Sequence, residues 1–380
     1  MLGGSDAHPL ARSEAKRAPC YPRAPFGPGG RPRRPLASAP MPLDSPLARS
    51  AADFARRAHD GQVRKCAAHP PYFVHLEAVA TRLAAHGHDD DELLAAAYLH
   101  DVLEDQPAHA AELADRFPPA VVETVRLLTE QKLDARGQKR AKAERFADYV
   151  AGLRQGTPAA RRAAVVSCAD KIDNLEGLVA AQRGGDNLLG RLATRPGQHA
   201  PQLAILREIY RDVVGESLLA AFDGAVAALA DTLARWLPGR AVCIAADAHL
   251  GQYDRAGAPA VLHPLRVMLA ASTDEERMVA VLHDVVEDTP WTLAELADEG
   301  LPAPVLRALD CLTRREGEPY ATYLERLLVD PLAARIKRLD LADNLARLAQ
   351  LAEPERSRLE AKYRAAAARL GAEAPPTGAR

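Results

Sequence analysis

Aromatic side chains are scarce in this chain: 2 Trp, 9 Tyr and 6 Phe, 4% of 380 residues. A core short of rings must be assembled from Ala, Leu and Val, which suits helices better than strands. Cysteine is rarer still and odd in number (Cys20, Cys66, Cys168, Cys243, Cys311), with no C-x-x-C pair. That argues against a disulfide scaffold and against a thiolate zinc site. Net charge is nearly absent, since 49 Lys and Arg stand against 51 Asp and Glu, a formal −2. No global positive field therefore advertises nucleic acid or a membrane surface as a partner. No uninterrupted apolar run approaches the ~20 residues of a membrane span. What is present, 48% hydrophobic and 26% charged residues, suffices to bury the cores of two domains. The expectation is a soluble, cytoplasmic, all-α protein.

Residues 1–40 differ from the rest, with eight prolines, seven Lys or Arg, and only Asp6 and Glu14 as acids. They carry no helical or strand period, so a disordered Pro/Arg-rich extension is expected over 1–43. The prolines oppose an amphipathic transit helix, and no apolar segment suits a signal peptide. Met41, just before the first periodic segment, is the alternative start.

An internal repeat organises the remainder. Ala58-His59-Asp60-Gly61-Gln62 returns as Ala248-His249-Leu250-Gly251-Gln252, and Leu99-His100-Asp101-Val102-Leu103-Glu104-Asp105 as Leu282-His283-Asp284-Val285-Val286-Glu287-Asp288. Both copies pass through Ala-Glu-Leu-Ala-Asp (111–115 and 294–298) and Leu-Thr (128–129 and 312–313) to Asp-x-x-Asp-Asn, at 170–174 and 340–344. Between these landmarks apolar residues recur at three- and four-residue steps, as at Leu93, Leu94, Ala97, Tyr98 and Val102. Helices are expected over 44–58, 76–86, 92–103, 109–130, 139–154 and 159–181, broken at Gly87, Pro118-Pro119 and Gly156. One or two more fill 201–236 and end at Pro238-Gly239. Two tandem helical bundles follow, over 44–238 and 239–370, with a disordered tail over 371–380.

Histidine carries the sharpest chemical signal. His59, His75 and His100 have matched partners in His249, His263 and His283. His100-Asp101 and His283-Asp284 end apolar helices, where burying a charge is expensive. Imidazole plus carboxylate is a donor set for Mn, Fe or Zn. His75 and Asp170 complete one set, with Asp170 placed as a cap on the apolar run 163–169, and His263 and Asp340 complete the other. Such a metal leaves positions open for water and substrate and can polarise a phosphoryl oxygen. Glu104 and Asp105, repeated as Glu287 and Asp288, lie a turn beyond the pair and are candidates to orient water or shuttle its proton.

The pattern H…HD…D resembles that of HD-domain metal-dependent phosphohydrolases. The first copy resembles more closely the hydrolase domain of the RelA/SpoT family, which removes the 3′-pyrophosphate of (p)ppGpp. The matching text is Ala58-His59-x-Gly61-Gln62-x-Arg64-Lys65, Pro71-Tyr72-x-x-His75, Leu99-His100-Asp101-x-x-Glu104-Asp105 and Ala169-Asp170-Lys171-x-x-Asn174-Leu175. The resemblance implies Mn²⁺ at His75, His100, Asp101 and Asp170, with Glu104 and Asp105 assisting the water. It implies nucleotide binding at Arg64, Lys65 and Asn174, the last repeated as Asn344. From side-chain chemistry alone, Arg64 offers a plane to stack on a purine, and Lys65, Lys142, Arg145 and Lys171 are cations available to polyphosphate. Leu76 departs from the proline that commonly follows the ligand histidine, and Cys66-Ala67 from the usual small, glycine-containing sequence.

The second copy resembles small stand-alone HD proteins. It keeps every metal-ligand type, yet Asp254 stands opposite Arg64 and Ala260 opposite Tyr72, so a different base pocket is expected. The leading expectation is hydrolysis of (p)ppGpp, an anionic nucleotide. The alternatives are a phosphohydrolase for another nucleotide such as NADPH, and a ligand-binding regulator without catalysis.

Overall fold

The computed structural model describes residues 45–66, 69–192 and 195–371. The extension expected over 1–43 and the tail expected over 371–380, Gly371 apart, lie outside the described residues. Regular structure among the described residues is helical, and strand-like pairing is limited to isolated bridges such as Val63–Pro71 and Tyr253–Pro259.

The first set of helices is α1 (Pro46–Ala58), α2 (Phe73–Ala85), α3 (Asp91–Leu99), α4 (Val102–Asp105), α5 (Ala110–Arg116), α6 (Pro119–Leu128), α7 (Lys142–Leu153) and α8 (Pro158–Arg183). Two connecting helices follow, α9 (His199–Arg211) and α10 (Glu216–Ala248). The order then recurs as α11 (Leu262–Leu269), α12 (Asp274–Leu282), α13 (Val285–Asp288), α14 (Leu293–Asp298), α15 (Ala303–Leu312), α16 (Tyr320–Leu328) and α17 (Pro331–Arg347), closed by α18 (Glu355–Arg369).

Local chemistry fixes many of the starts. Ser45, Asp90 and Thr157 accept backbone N–H groups at the first turns of α1, α3 and α8, and Thr273 with Glu276 forms a capping box on α12. Gly61 and Gly251 take positive φ just after α1 and α10, turning the chain into the loops that precede α2 and α11.

Two expectations about the helices need correction. The helix expected over 92–103 is broken: α3 ends at Leu99, and His100 and Asp101 join it to the single turn of α4. The helix expected to end at Pro238-Gly239 instead runs on to Ala248. Interior proline costs a helix roughly 3 kcal/mol. Here Ala241, Ile244 and Ala245 bury on the far side of it and offset that cost.

Buried apolar side chains form two clusters, one drawn from 48–229 and one from 237–370. α10 enters both, and Trp236 packs against each. This 33-residue helix is long and apolar enough to cross a membrane by length and composition, a property no uninterrupted run in the sequence displays. Its contacts with α8 and α12 account for apolar side chains along its length. A second seam lies at Glu299, a buried carboxylate that accepts from Arg240 (2.8 and 3.0 Å) and faces Arg195 at 3.1 Å. Beside it Gly197 lies so close that an added Cβ would stand 2.1 Å from the Ala297 carbonyl oxygen.

Candidate metal centres

His75, His100 and Asp101 bring one donor atom each within 4.8 Å of one another. Asp170 completes the set, its Oδ1 lying 3.2 Å from His75 Nε2 and 3.7 Å from His100 Nε2. The helix break at His100-Asp101 produces this convergence, turning the carboxylate of Asp101 to 3.1 Å from its neighbour's Nε2. Asp170 is buried in the interior of α8, which corrects its reading as a helix cap.

His100 Nδ1 donates to the Ala97 carbonyl at 2.7 Å, so Nε2 carries the ring's free lone pair. That Nε2 is buried and has no hydrogen-bond partner. His75 Nδ1 is likewise committed, to Asp173 at 2.7 Å, leaving its Nε2 toward Asp170 and Asp101. Two imidazole lone pairs and two carboxylates thus face one point, where only a proton or a cation relieves their repulsion. In the metal-free chain protons fill that role. Burial opposes the charged form of both rings, yet the Asp101 and Asp170 carboxylates outweigh it at His100, and Asp170 and Asp173 at His75, raising both pKa values. Burial also opposes ionisation of Asp101, but the adjacent His100 holds its carboxyl below the usual range. The donor set fits a divalent transition metal.

The surrounding residues orient these donors. Asp173 accepts from His75 and from Arg64, and Arg64 also donates to Asn174 Oδ1 at 3.0 Å. Asn174 donates its amide to Asp170, which also accepts from Lys171 at 2.8 Å. Tyr72 donates to Asp101 at 2.6 Å and stacks on His59. His59 binds Gln62, which donates to Asp105 at 2.8 Å. Glu104 accepts the Glu130 N–H at 3.1 Å and faces Lys132 at 3.1 Å. Burial raises the Glu104 pKa against the opposing pull of that N–H and of Lys132.

Several candidates from the sequence are differently employed. Asn174 holds the ligand residue Asp170, and Arg64 holds Asp173 and Asn174 in turn, rather than either projecting as a free group. Arg145 is paired with Glu130 at 2.9 Å, while Lys65 and Lys142 are exposed. Arg64, Asp173 and Gly177 line a cleft of about 550 Å³ beside this centre.

The second copy repeats the geometry. His263, His283 and Asp340 converge within 4.8 Å, with Asp284 at 3.1 Å from His283 Nε2 and 3.8 Å from His263 Nε2. The two imidazoles meet edge-on with centroids 5.2 Å apart, as His75 and His100 do. His283 Nδ1 bonds the Ala280 carbonyl and leaves an orphaned, buried Nε2. Asn344 donates to Asp340. Glu287 accepts the Arg314 N–H at 3.2 Å, and the Asp288 carbonyl accepts from Gln252.

Two supporting cations occupy the same places from different positions. The loop between Gln252 and Ala260 is two residues shorter than that between Gln62 and Tyr72, and Asp254 folds its carboxylate onto the N–H groups of Ala256 and Ala258. The guanidinium that Arg64 gives to Asp173 is supplied to Asp343 by Arg266 of α11, at 2.7 and 2.8 Å. Asp343 in turn accepts from His263 at 2.7 Å. The Lys171 ammonium has its equivalent in Lys337, one turn before Asp340 and 2.7 Å from it, and each lysine lies near a tyrosine ring. Asp254 thus stands opposite Arg64 in sequence but not in role, since Arg266 supplies the cation to Asp343. Arg266 and Lys337 escape sequence comparison because they stand at unmatched positions. Asp173 and Asp343 were visible as landmarks, though nothing in sequence spacing tied them to the histidines.

The second centre is also the more open. His263 is 18% exposed against 2% for His75, and Asp284 31% against 21% for Asp101. Ala260 at the Tyr72 position leaves Asp284 uncovered. The adjoining cleft is about 620 Å³ and is closed on one side by α18.

Comparison with known proteins bears on the first copy. Residues 51–198 match the HD domain family. The bifunctional (p)ppGpp synthase/hydrolase SpoT of Escherichia coli is 36% identical over 125 residues, 33% of this chain and 17% of its own length. The guanosine-3′,5′-bis(diphosphate) 3′-pyrophosphohydrolase MESH1 of Drosophila melanogaster is 35% identical over 127 residues, 33% of this chain and 65% of its own. A solved metazoan orthologue of SpoT, described as hydrolysing ppGpp, is 26% identical and covers 50% of this chain and 96% of its own, with a TM-score of 0.39. The chain thus spans about a sixth of the length of the bacterial relative.

Proposed function

We propose, from the HD domain that residues 51–198 carry and its homology to curated (p)ppGpp hydrolases, that this chain removes the 3′-pyrophosphate of (p)ppGpp. The observation carrying the proposal is the convergence of His75, His100, Asp101 and Asp170 with a buried imidazole Nε2 left unpartnered. These four hold a divalent metal, Mn²⁺ in this reading. When bound, it lowers the pKa of a coordinated water and offsets charge developing on the phosphoryl oxygens. The water oxygen bonds to the phosphorus attached at O3′, the P–O3′ bond breaks, and GDP or GTP leaves with pyrophosphate. Glu104 and Asp105, bridged by Lys132 at 3.1 and 3.6 Å, take the water proton and return one to O3′. Asp173 fixes the ring of His75, and Arg64 and Asn174 fix Asp173 and Asp170. Arg64 receives the nucleotide in the cleft that it lines with Gly177, and its exposed neighbour Lys65 adds a cation for the polyphosphate.

The residues 44–238 and 239–370 form two such units in this reading, with a second metal at His263, His283, Asp284 and Asp340, assisted by Glu287 and Asp288. The enzyme acts in the cytoplasm on an anionic nucleotide, without nucleic acid. The test is purified chain with Mn²⁺ offered ppGpp, pppGpp, NADPH and deoxynucleoside triphosphates. Release of pyrophosphate from ppGpp and pppGpp is expected. Turnover of NADPH alone would replace the substrate, and metal binding without turnover of any would replace the enzyme with a regulator.

A further inference from the structure

We infer that the cleft beside the second centre binds a nucleotide carrying phosphate at two positions, with Arg347 as the receptor for the phosphate remote from the metal. The inference rests on reading His263, His283, Asp284 and Asp340 as a metal centre. Asp340, Asn344 and Arg347 follow one another at four- and three-residue steps along α17, so they share a face. Seven residues of helix rise place Arg347 about 10 Å along the axis from Asp340. Both His263 and Arg347 line the same cleft of about 620 Å³, a volume suited to a small organic ligand.

The charges in this cleft single out Arg347. Arg255 is paired with Glu355 and Arg266 with Asp343. Among the described residues Arg347 has no carboxylate partner, and its guanidinium donates to the neutral Gln350 amide oxygen. A planar guanidinium with donors to spare is suited to bidentate capture of phosphate. The first copy has Gly177 at the matched position, and the Arg64 guanidinium that packs against it donates to Asp173 and Asn174, whereas Arg347 keeps donors to spare. Half-buried Tyr363 and buried Leu359 of α18 line the same cleft and supply a ring and an apolar surface for a base. The two clefts differ where the ligand's far end would lie.

The test uses the full chain with the first centre disabled by Asp101→Asn, or by Asp170→Asn should the former lower thermal stability. Metal content is counted with Mn²⁺, and calorimetry follows adenosine 3′,5′-bisphosphate and adenosine 5′-monophosphate. The bisphosphate is expected to bind at least tenfold more tightly than the monophosphate. Arg347→Ala and Arg347→Glu are expected to abolish that preference with Mn²⁺ content unchanged, and Arg347→Lys to restore part of it. Equal affinity for the two nucleotides, or a preference surviving Arg347→Glu, would overturn the inference while leaving the metal centre standing. Absence of Mn²⁺ sensitive to Asp340→Asn would overturn the metal reading instead, and an Arg347-dependent preference persisting without metal would keep the phosphate receptor.

Discussion

Glu104 illustrates how far a side chain's surroundings narrow its chemistry. Its oxygens meet the Glu130 N–H and the Lys132 ammonium, yet burial still raises its pKa. A carboxylate held in that way can exchange a proton without being a metal donor. Glu104→Gln is therefore expected to keep Mn²⁺ near stoichiometric while lowering kcat by about 10²–10⁴-fold, with KM little changed. Metal analysis beside steady-state kinetics on ppGpp checks this, and metal loss parallel to activity loss would move Glu104 into the ligand set.

The histidines make a second prediction at this scale. In the metal-free chain the carboxylates overcome burial and raise the pKa of His75 and His100, and that of His263 to about 9. A dication must displace those protons, so metal affinity should rise with pH through the neutral range. Titration in buffers of different ionisation enthalpy should report proton release at pH 7, and none released would contradict the assignment. The sign for stability is the reverse. Groups whose folded pKa is raised stabilise the fold below their unfolded value near 6.5 and lose that contribution as pH climbs toward about 9. The chelated protein should accordingly melt at a lower temperature at pH 9 than at pH 7, with the metal-loaded form less affected.

At the scale of elements, the loops and the seam matter more than the helices. In the second copy the Arg64 position holds Asp254, folded onto its own shorter loop, and Arg266 on α11 supplies the cation that Asp343 needs to hold His263. The seam at Glu299 depends on Gly197, whose missing Cβ admits the backbone of α14. Gly197→Ala drives a methyl into the Ala297 carbonyl, which is backbone and cannot step aside. A loss of about 1–3 kcal/mol is expected, measured by urea denaturation, with metal content intact because both centres lie on other elements. A neutral substitution would mean that the turn 196–198 separates from α14 in solution.

For the whole molecule, the two similar centres differ in their exposure. The first is closed by Tyr72 over Asp101 and excludes water from His75, whereas Ala260 opens the second. Exclusion of water strengthens charge interactions within a site. Asp101→Asn is therefore expected to remove most ppGpp turnover, by at least tenfold, and Asp284→Asn to spare most of it. The opposite result would assign the main activity to residues 239–370 and leave the first copy as its accessory.

The helical class, the repeat and the residue types that converge at each candidate centre were legible in the residue order. Those features are local or periodic: a helix advertises its face every three or four residues, and a donor motif must keep its residue types. Tertiary structure alone decided the break between His100 and Asp101, the passage of α10 through Pro238, and the delivery of Arg266 and Lys337 to places that Arg64 and Lys171 fill in the first copy. Each of these is settled by packing across the fold. A buried carboxylate requires a cation at a point in space, and helices approaching that point from different directions satisfy it equally well.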